Sequence, residues 1–440
     1  MKRIFAVVSA MLLFAAPIAN GQDGVTPPVE KFNKAAAEKR VAKSEADIAN
    51  PKKAVKASTW VKRGDMFYEV ATQPTSGIFR ELEESMMVQS QGEAPKAEVV
   101  VDGTKYTEYT YDHFKAYAKD GRVKSFFVTT EVTPDALGKA AQAYEKAYEI
   151  DPKTEKKVVT GIRNLMNAYF ERGNNYLTMG DYANAADNYY NAYKVGEFPA
   201  VAAKDTNALY NAGYCYLVGS QYAKGAECFE KALEYGKEDK GDVYYYAFLC
   251  EFQNNEMDKA EKTIKEGIAK YPGNTNIIEG LIKLYASVDK NPNEIIPLVK
   301  AGIEKDPSNP LLYYGLGLIY DKLGDLDSAI AEMHKAQTLK PNDFYILVNL
   351  GLFYSKKGDA LNAQMNQRGQ WSGSAEYNAY LKKVNDEYAK ALPYLEKAYE
   401  INPAEKVTVE ILKSLTFRLR DMDGMQAKYD KYKAIYDSMQ

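Results

Sequence analysis

Tyr313-Tyr314-Gly315-Leu316-Gly317-Leu318-Ile319-Tyr320 is followed by Gly324, Leu326, Ala329, Met333, Ala336 and Pro341. Apolar positions recur at helical spacing in two runs, broken at Gly324 and closed at Pro341. Small residues at Gly317, Ala329 and Ala336 let two helices approach closely, while Leu316, Tyr320 and Met333 fill the gaps between them. Gly324 supplies the left-handed residue that ends the first helix, and Pro341 stops the second. The stretch reads as a helix–turn–helix whose two helices pack on each other.

The spacing returns along the chain. Gly173, Tyr176, Gly180, Ala185, Tyr189 and Ala192 make one copy; Gly213, Tyr216, Gly225, Phe229 and Ala232 make the next. Ala260, Ile264, Gly267 and Pro272 mark the second helix of another, whose first helix, near 243–253, has lost its Gly. A weaker unit has helices near 276–287 and 294–305, ending at Pro307. Leu350, Gly351, Tyr354 and Gly358 open a unit whose second helix arrives late, at Ala391, Leu395, Ala398 and Pro403. Trp60, Gly64 and Phe67 look like a first helix whose partner, Ala140, Tyr144, Ala147 and Pro152, is far downstream. The pattern resembles the tetratricopeptide family, whose repeat is a helical hairpin of about 34 residues written W-x2-L-G-x2-Y…A-x3-F…A…P. That resemblance implies an all-α fold, a TPR-type α-solenoid (a right-handed superhelix of helical hairpins), here with a small β-rich insertion.

Seven units are expected. The first, 57–153, is interrupted by a β-rich insertion at about 73–133. Six more fill 154–405, the last interrupted at about 359–386. In the first insertion, Glu98-Val99-Val100-Val101, Asp102-Gly103 and the run from Lys105 to Tyr111 predict a β-hairpin. A short amphipathic helix over 111–118 and a strand over 123–132 complete a predicted excursion of two or three strands. The second insertion contains Gln370-Trp371-Ser372-Gly373-Ser374, expected as a loop between extended helices. Trp371 there reads either as a contact residue or as a ring packed back on the stack. Residues 406–440 are expected as capping helices with a charged outer face. Residues 22–56 form a polar arm, helical by propensity over 31–49, with a disordered arm as the alternative.

Lys2 and Arg3, an apolar run over 4–16 and small residues at Ala19 and Gly21 have the plan of a secretory signal peptide over 1–21, cleaved near Gly21/Gln22. The run is too short to span a bilayer, and no other long apolar stretch follows, so no transmembrane anchor is expected. Export to the periplasm or outer membrane is the expectation, and a Gln after such a peptide resembles exported proteins of the Bacteroidetes group. Cys215, Cys228 and Cys250 read as small seam residues, or as one disulfide plus a free thiol.

The net charge of −3 gives no general pull towards nucleic acid. His113 and His334 are isolated, and no nucleophile, phosphate-loop or dinucleotide motif occurs, so neither catalysis, metal nor cofactor is expected. Asp321, Asp325, Asp327 and Glu332 mimic calcium-loop spacing, but Leu323 and Leu326 occupy two of its required positions. Carried over by register, the resemblance implies a concave face lined by Phe170 and Asn174, by Asn207, Tyr210, Tyr214 and Leu217, and by Tyr245, Leu249 and Phe252. Tyr314 and Leu318, then Tyr345, Asn349 and Leu352, continue it. Few basic groups stand there, so an aromatic, amide-lined groove for an extended or helical peptide is expected, and rings can also stack on sugars. With 36 tyrosines in the chain, the same residues also read as core. The implied function is a non-catalytic protein–protein scaffold or assembly factor of the bacterial envelope, with carbohydrate or cell-wall binding as the alternative.

Overall fold

The computed structural model describes residues 32–287, 291–368 and 370–439. The expected signal peptide and residues 22–31 of the arm lie outside them. The described residues divide into two compact units, the first running to Asp181 and including 198–201, the second taking 182–197 and the residues from 202 onward.

In the first unit, α1 (Lys34–Ala49) and the short α2 (Pro51–Ala54) lead to α3 (Ala57–Thr72). The arm is therefore helical from Lys34, with Asn33 capping Ala36 N–H at 3.0 Å. It buries only Ala37 and is tied to α3 by ions: Arg63 donates to Ser44 Oγ at 2.9 Å and Glu45 Oε1 at 2.7 Å, and Arg40 pairs with Glu69.

After α3 comes α4 (Glu84–Gln91) and then four strands, β1 (Lys96–Val101), β2 (Thr104–Thr110), β3 (Phe114–Lys119) and β4 (Arg122–Val128). They form one antiparallel sheet in sequence order. The hairpin at Asp102-Gly103 is as expected. The helix expected over 111–118 is instead β3, because Phe114, Ala116 and Ala118 alternate inward at period two and Asp120-Gly121 turns the chain into β4. The short helix of the insertion is α4. The last strand stops at Val128 rather than near 132, where Thr129 N–H donates back to His113 O at 2.9 Å. One sheet face packs Tyr109, Ala116 and Phe126 against Ile78, Leu82 and Met87.

The chain then enters α5 (Ala136–Ile150) and α6 (Glu155–Thr178). Despite the insertion, α5 packs on α3. Tyr144 of α5 lies against Gly64 and donates to Asp65 Oδ1 at 2.7 Å. The other sheet face meets α6, where Ser125 Oγ donates to Asn175 O at 3.1 Å and Phe127 tilts on Tyr176 at 4.9 Å.

The second unit runs α7 (Tyr182–Gly196), α8 (Thr206–Val218), α9 (Tyr222–Glu234), α10 (Asp242–Gln253), α11 (Met257–Lys270) and α12 (Thr275–Ser287). It continues α13 (Ile296–Lys305), α14 (Pro310–Lys322), α15 (Leu326–Leu339), α16 (Phe344–Gln367), α17 (Ser374–Ile401), α18 (Lys406–Arg418) and α19 (Met425–Ser438). Hairpins α8–α9, α10–α11, α14–α15, α16–α17 and α18–α19 each pack internally. In α14–α15, Gly317 meets Met333, as the small-against-large pattern requires.

The second interrupted hairpin is drawn together as the first is. Tyr388 of α17 lies against Gly358 of α16 and donates to Asp359 Oδ1 at 2.7 Å. In both interrupted units a Gly-Asp pair on the first helix receives a distant tyrosine. The insertion in this unit lengthens both helices, and Trp371 sits at their turn. Cys215, Cys228 and Cys250, on α8, α9 and α10, are buried free thiols. Burial raises all three, Cys215 and Cys228 to about 12.

Candidate functional site

The groove residues expected in the second unit separate into an aromatic cluster, an amide-bridged group and a buried remainder. Tyr210 and Tyr214, both half-buried on α8, meet Tyr246 of α10 edge-on at 6.1 and 5.9 Å. Tyr246 in turn stacks on Phe229 at 5.8 Å, which fixes its ring. Beside them Lys237 Nζ donates to the exposed Asn207 Oδ1 at 3.0 Å and lies 5.6 Å from the Tyr210 ring centre. Burial raises the hydroxyls of Tyr210 and Tyr246, and that of Tyr214 to about 12. They stay protonated at every physiological pH, so the surface offers neutral O–H groups on apolar rings.

Further along, Asn349 Nδ2 on α16 donates to Tyr314 OH on α14 at 3.2 Å and to Tyr345 O at 2.8 Å. Tyr345 is exposed, with Phe344 edge-on at 5.4 Å. Leu217, Leu318 and Leu352 are half-buried, as is Phe252, which has Lys283 Nζ 5.1 Å from its ring centre.

Tyr245 and Leu249 are core residues, 7% and 5% exposed, and do not line a groove. The repeat itself explains this. α10 carries Phe248 where α8 carries Gly213, and α12 accommodates that ring with Gly280. Ile278 and Leu281 of α12 share one buried core with Tyr245 and Leu249. Tyr246 is the surface residue that the register reading missed. The triplet Tyr244-Tyr245-Tyr246 gave no means of choosing among three rings.

Phe170 and Asn174 are half-buried on α6, in the first unit. Trp371 is half-buried, with Arg368 4.5 Å from its ring centre and Tyr377 and Tyr380 5.6 and 5.5 Å away. It packs back on α17 while keeping part of its ring in solvent.

A second departure from the repeat in α10 creates another feature. Glu251 stands where other first helices have the repeat tyrosine (Tyr216, Tyr320, Tyr354). It is fully buried; Oε1 accepts from Thr263 Oγ1 at 3.1 Å and Oε2 has no hydrogen-bond partner. Burial pushes its carboxyl up to about 7. It lines a cavity of about 340 Å³ with Glu230, Glu234, Lys259, Lys262 and Lys270.

His334 bridges Gln337 and Tyr354 OH at 3.3 and 2.9 Å, and His113 meets Phe32 edge-on at 4.8 Å. The carboxylates that mimic a calcium loop do structural work. Asp325 caps α15 at Ser328 N–H, 3.1 Å, while Asp321, Asp327 and Glu332 pair with Lys356, Lys357 and Lys335. Among the described residues no His/Cys/Asp/Glu group could hold a metal, and no helix is long and apolar enough to cross a membrane.

Residues 311–343 match the family model described as tetratricopeptide repeat. Interferon-induced protein with tetratricopeptide repeats 2 of Mus musculus is 26% identical over 208 residues, covering 46% of this chain and 40% of that protein. Its Homo sapiens counterpart is 25% identical over 162 residues, covering 35% and 31%. The chain thus spans at most about two fifths of the length of these curated relatives. Among solved structures, the C-terminal part of a TPR repeat-containing protein from Cytophaga hutchinsonii is 14% identical with a TM-score of 0.42, covering 63% of this chain and 95% of that one. A TPR-repeat protein from Bacteroides fragilis is 19% identical with a TM-score of 0.29, covering 57% and 97%. The helical hairpins, their glycine-on-ring packing and the repeat matched at residues 311–343 give the described residues the fold of a TPR-type α-solenoid carrying a small four-stranded insertion.

Proposed function

We propose that the chain is a non-catalytic scaffold that holds an extended segment of a protein partner against the tyrosine- and amide-bearing surface of its second unit. The observation that carries this is the cluster Tyr210, Tyr214 and Tyr246 beside Asn207 and Lys237. Rings held by their neighbours lose little entropy on binding, and neutral hydroxyls and amides match peptide N–H and C=O groups. The site offers no fixed charge cluster for a terminal carboxylate, which favours an internal segment over a chain end. The signal-like residues 1–21 support an exported, envelope-associated setting. N-terminal sequencing of the mature protein would then begin at Gln22, and retention of Met1 would remove that setting.

The test is in-cell photocrosslinking from exposed positions Asn207 and Tyr345, with exposed Lys335 on α15 as control. Recurrent adducts to one envelope protein from the first two positions alone are expected. Adducts equal to those from the control, or retention on a glycan array without a protein adduct, would overturn the reading in favour of non-specific or carbohydrate binding.

A further inference from the structure

The two outer edges of the β-sheet are treated differently. The edge of β4 is closed by the segment before α4: Glu81 N–H donates to Val123 O at 2.7 Å, Val123 N–H to Leu82 O at 2.9 Å and Glu84 N–H to Gly121 O at 2.9 Å. The edge of β1 has no backbone partner beyond β2 among the described residues. Asp102 and Gly103 both have positive φ, 48° and 77°, the two-residue turn that makes Val101 and Thr104 a mutually bonded pair. Thr110 N–H donating to Pro95 O at 3.0 Å fixes the same alternation at the other end. Residues 95, 97, 99 and 101 therefore bond inward, and Lys96, Glu98 and Val100 turn their N–H and C=O groups outward. Val100 is 59% exposed, within the uncharged run Val99-Val100-Val101. Such an edge is a template for another strand.

The charges on β1 say which strand fits. Lys96 stands at one end and Asp102 at the other, and neither has an ion-pair partner among the described residues; the Lys96 ammonium lies over the Tyr109 ring. Glu98, between them, is already paired with Lys105 at 2.8 Å. A strand positive at one end and negative at the other is complementary to itself when antiparallel. We propose that β1 pairs with β1 of a second copy of this chain about a two-fold axis at Val99, joining two four-stranded sheets into one. Lys96 then faces Asp102 of the second copy, and Glu98 and Val100 exchange about four backbone hydrogen bonds with Val100 and Glu98 across the axis. Centring the pair on Glu98 instead would set two carboxylates opposite each other, which disfavours that register. The inference is independent of the surface on the second unit.

Sedimentation velocity on the full mature chain, from low to high micromolar concentration, tests it. The expected result is a reversible dimer. Val100→Pro removes an outward N–H without breaking a β1–β2 bond, so a folded monomer is expected. The charge variants test the register without proline. Lys96→Glu alone and Asp102→Lys alone each set like charges across the axis and should weaken self-association by about tenfold. Mixing the two variant chains makes both cross-axis pairs attractive, so a mixed dimer should return. A wild-type chain that stays monomeric throughout would overturn the proposal. So would a dimer indifferent to Val100→Pro, or a mixture no tighter than either variant alone.

Discussion

Tyr144 is 2% exposed, lies on the bare backbone of Gly64 and Gly161, and bonds Asp65. A methyl group at either glycine would fall within the ring's own volume. Gly161→Ala is expected to cost about 1–3 kcal/mol, and Tyr144→Phe about 1 kcal/mol from the lost hydrogen bond; urea denaturation of the purified chain reads both. Glu251 gives a pH dependence. Burial lifts its folded-state value to about 7, above that of a carboxyl in the unfolded chain, so between about pH 4.5 and 7 the folded chain binds the extra proton. Stability contributed at this residue falls as pH rises through that window, and the full penalty stands above it. Glu251→Gln, which can keep the Thr263 bond, should match wild type near pH 4.5 and exceed it at pH 8 by at most about 3 kcal/mol. Equal stability at both values would refute the assignment. Gly64 and Tyr144 were legible as repeat positions. The buried acid was not, because nothing in one sequence says that a Glu at a tyrosine position stays inside.

The elements most legible in the sequence are those whose small and large residues keep the repeat spacing. Hence α3, α5, α14 and α15 lie where glycine, tyrosine and proline put them. One element escaped for a definite reason, and another kept its expected place while its buried face stayed hidden. β3 has a six-residue core, Phe114 to Lys119, short enough that an apolar alternation also fits a turn of helix. In α10, Phe248 replaces the repeat glycine, and the neighbouring helix compensates with Gly280, a pairing visible only once the two are opposed. α1 is held chiefly by ion pairs whose carboxylates are exposed and by one buried alanine. It should loosen as salt is raised, since such pairs are screened while the apolar seam of α3–α5 is not. Limited proteolysis with and without about 0.5 M salt should therefore show faster cleavage near 50–56 at high salt, with α3 onward protected.

At the scale of the molecule, successive hairpins of the second unit bury apolar faces on one another. Leu412 and Leu415 of α18, Leu419 just after it and Tyr432 of α19 share a core with Tyr388, Leu392 and Leu395 of α17. A chain ending at Glu405 would expose that apolar face and is expected to lose soluble monomer on size exclusion. The same truncation should lower the melting temperature of what remains. The sequence carried the hairpins because they repeat a pattern. It did not carry the identity of the exposed rings, which depends on how closely successive helices approach. The three unpaired thiols on α8, α9 and α10 add a kinetic consequence. Shut away and protonated, they are silent clocks: an alkylating reagent can strike one only while its own hairpin is ajar. The time course of labelling, resolved thiol by thiol, would chart how often this part of the stack breathes, and a bound partner that clamps the adjoining surface should slow all three together.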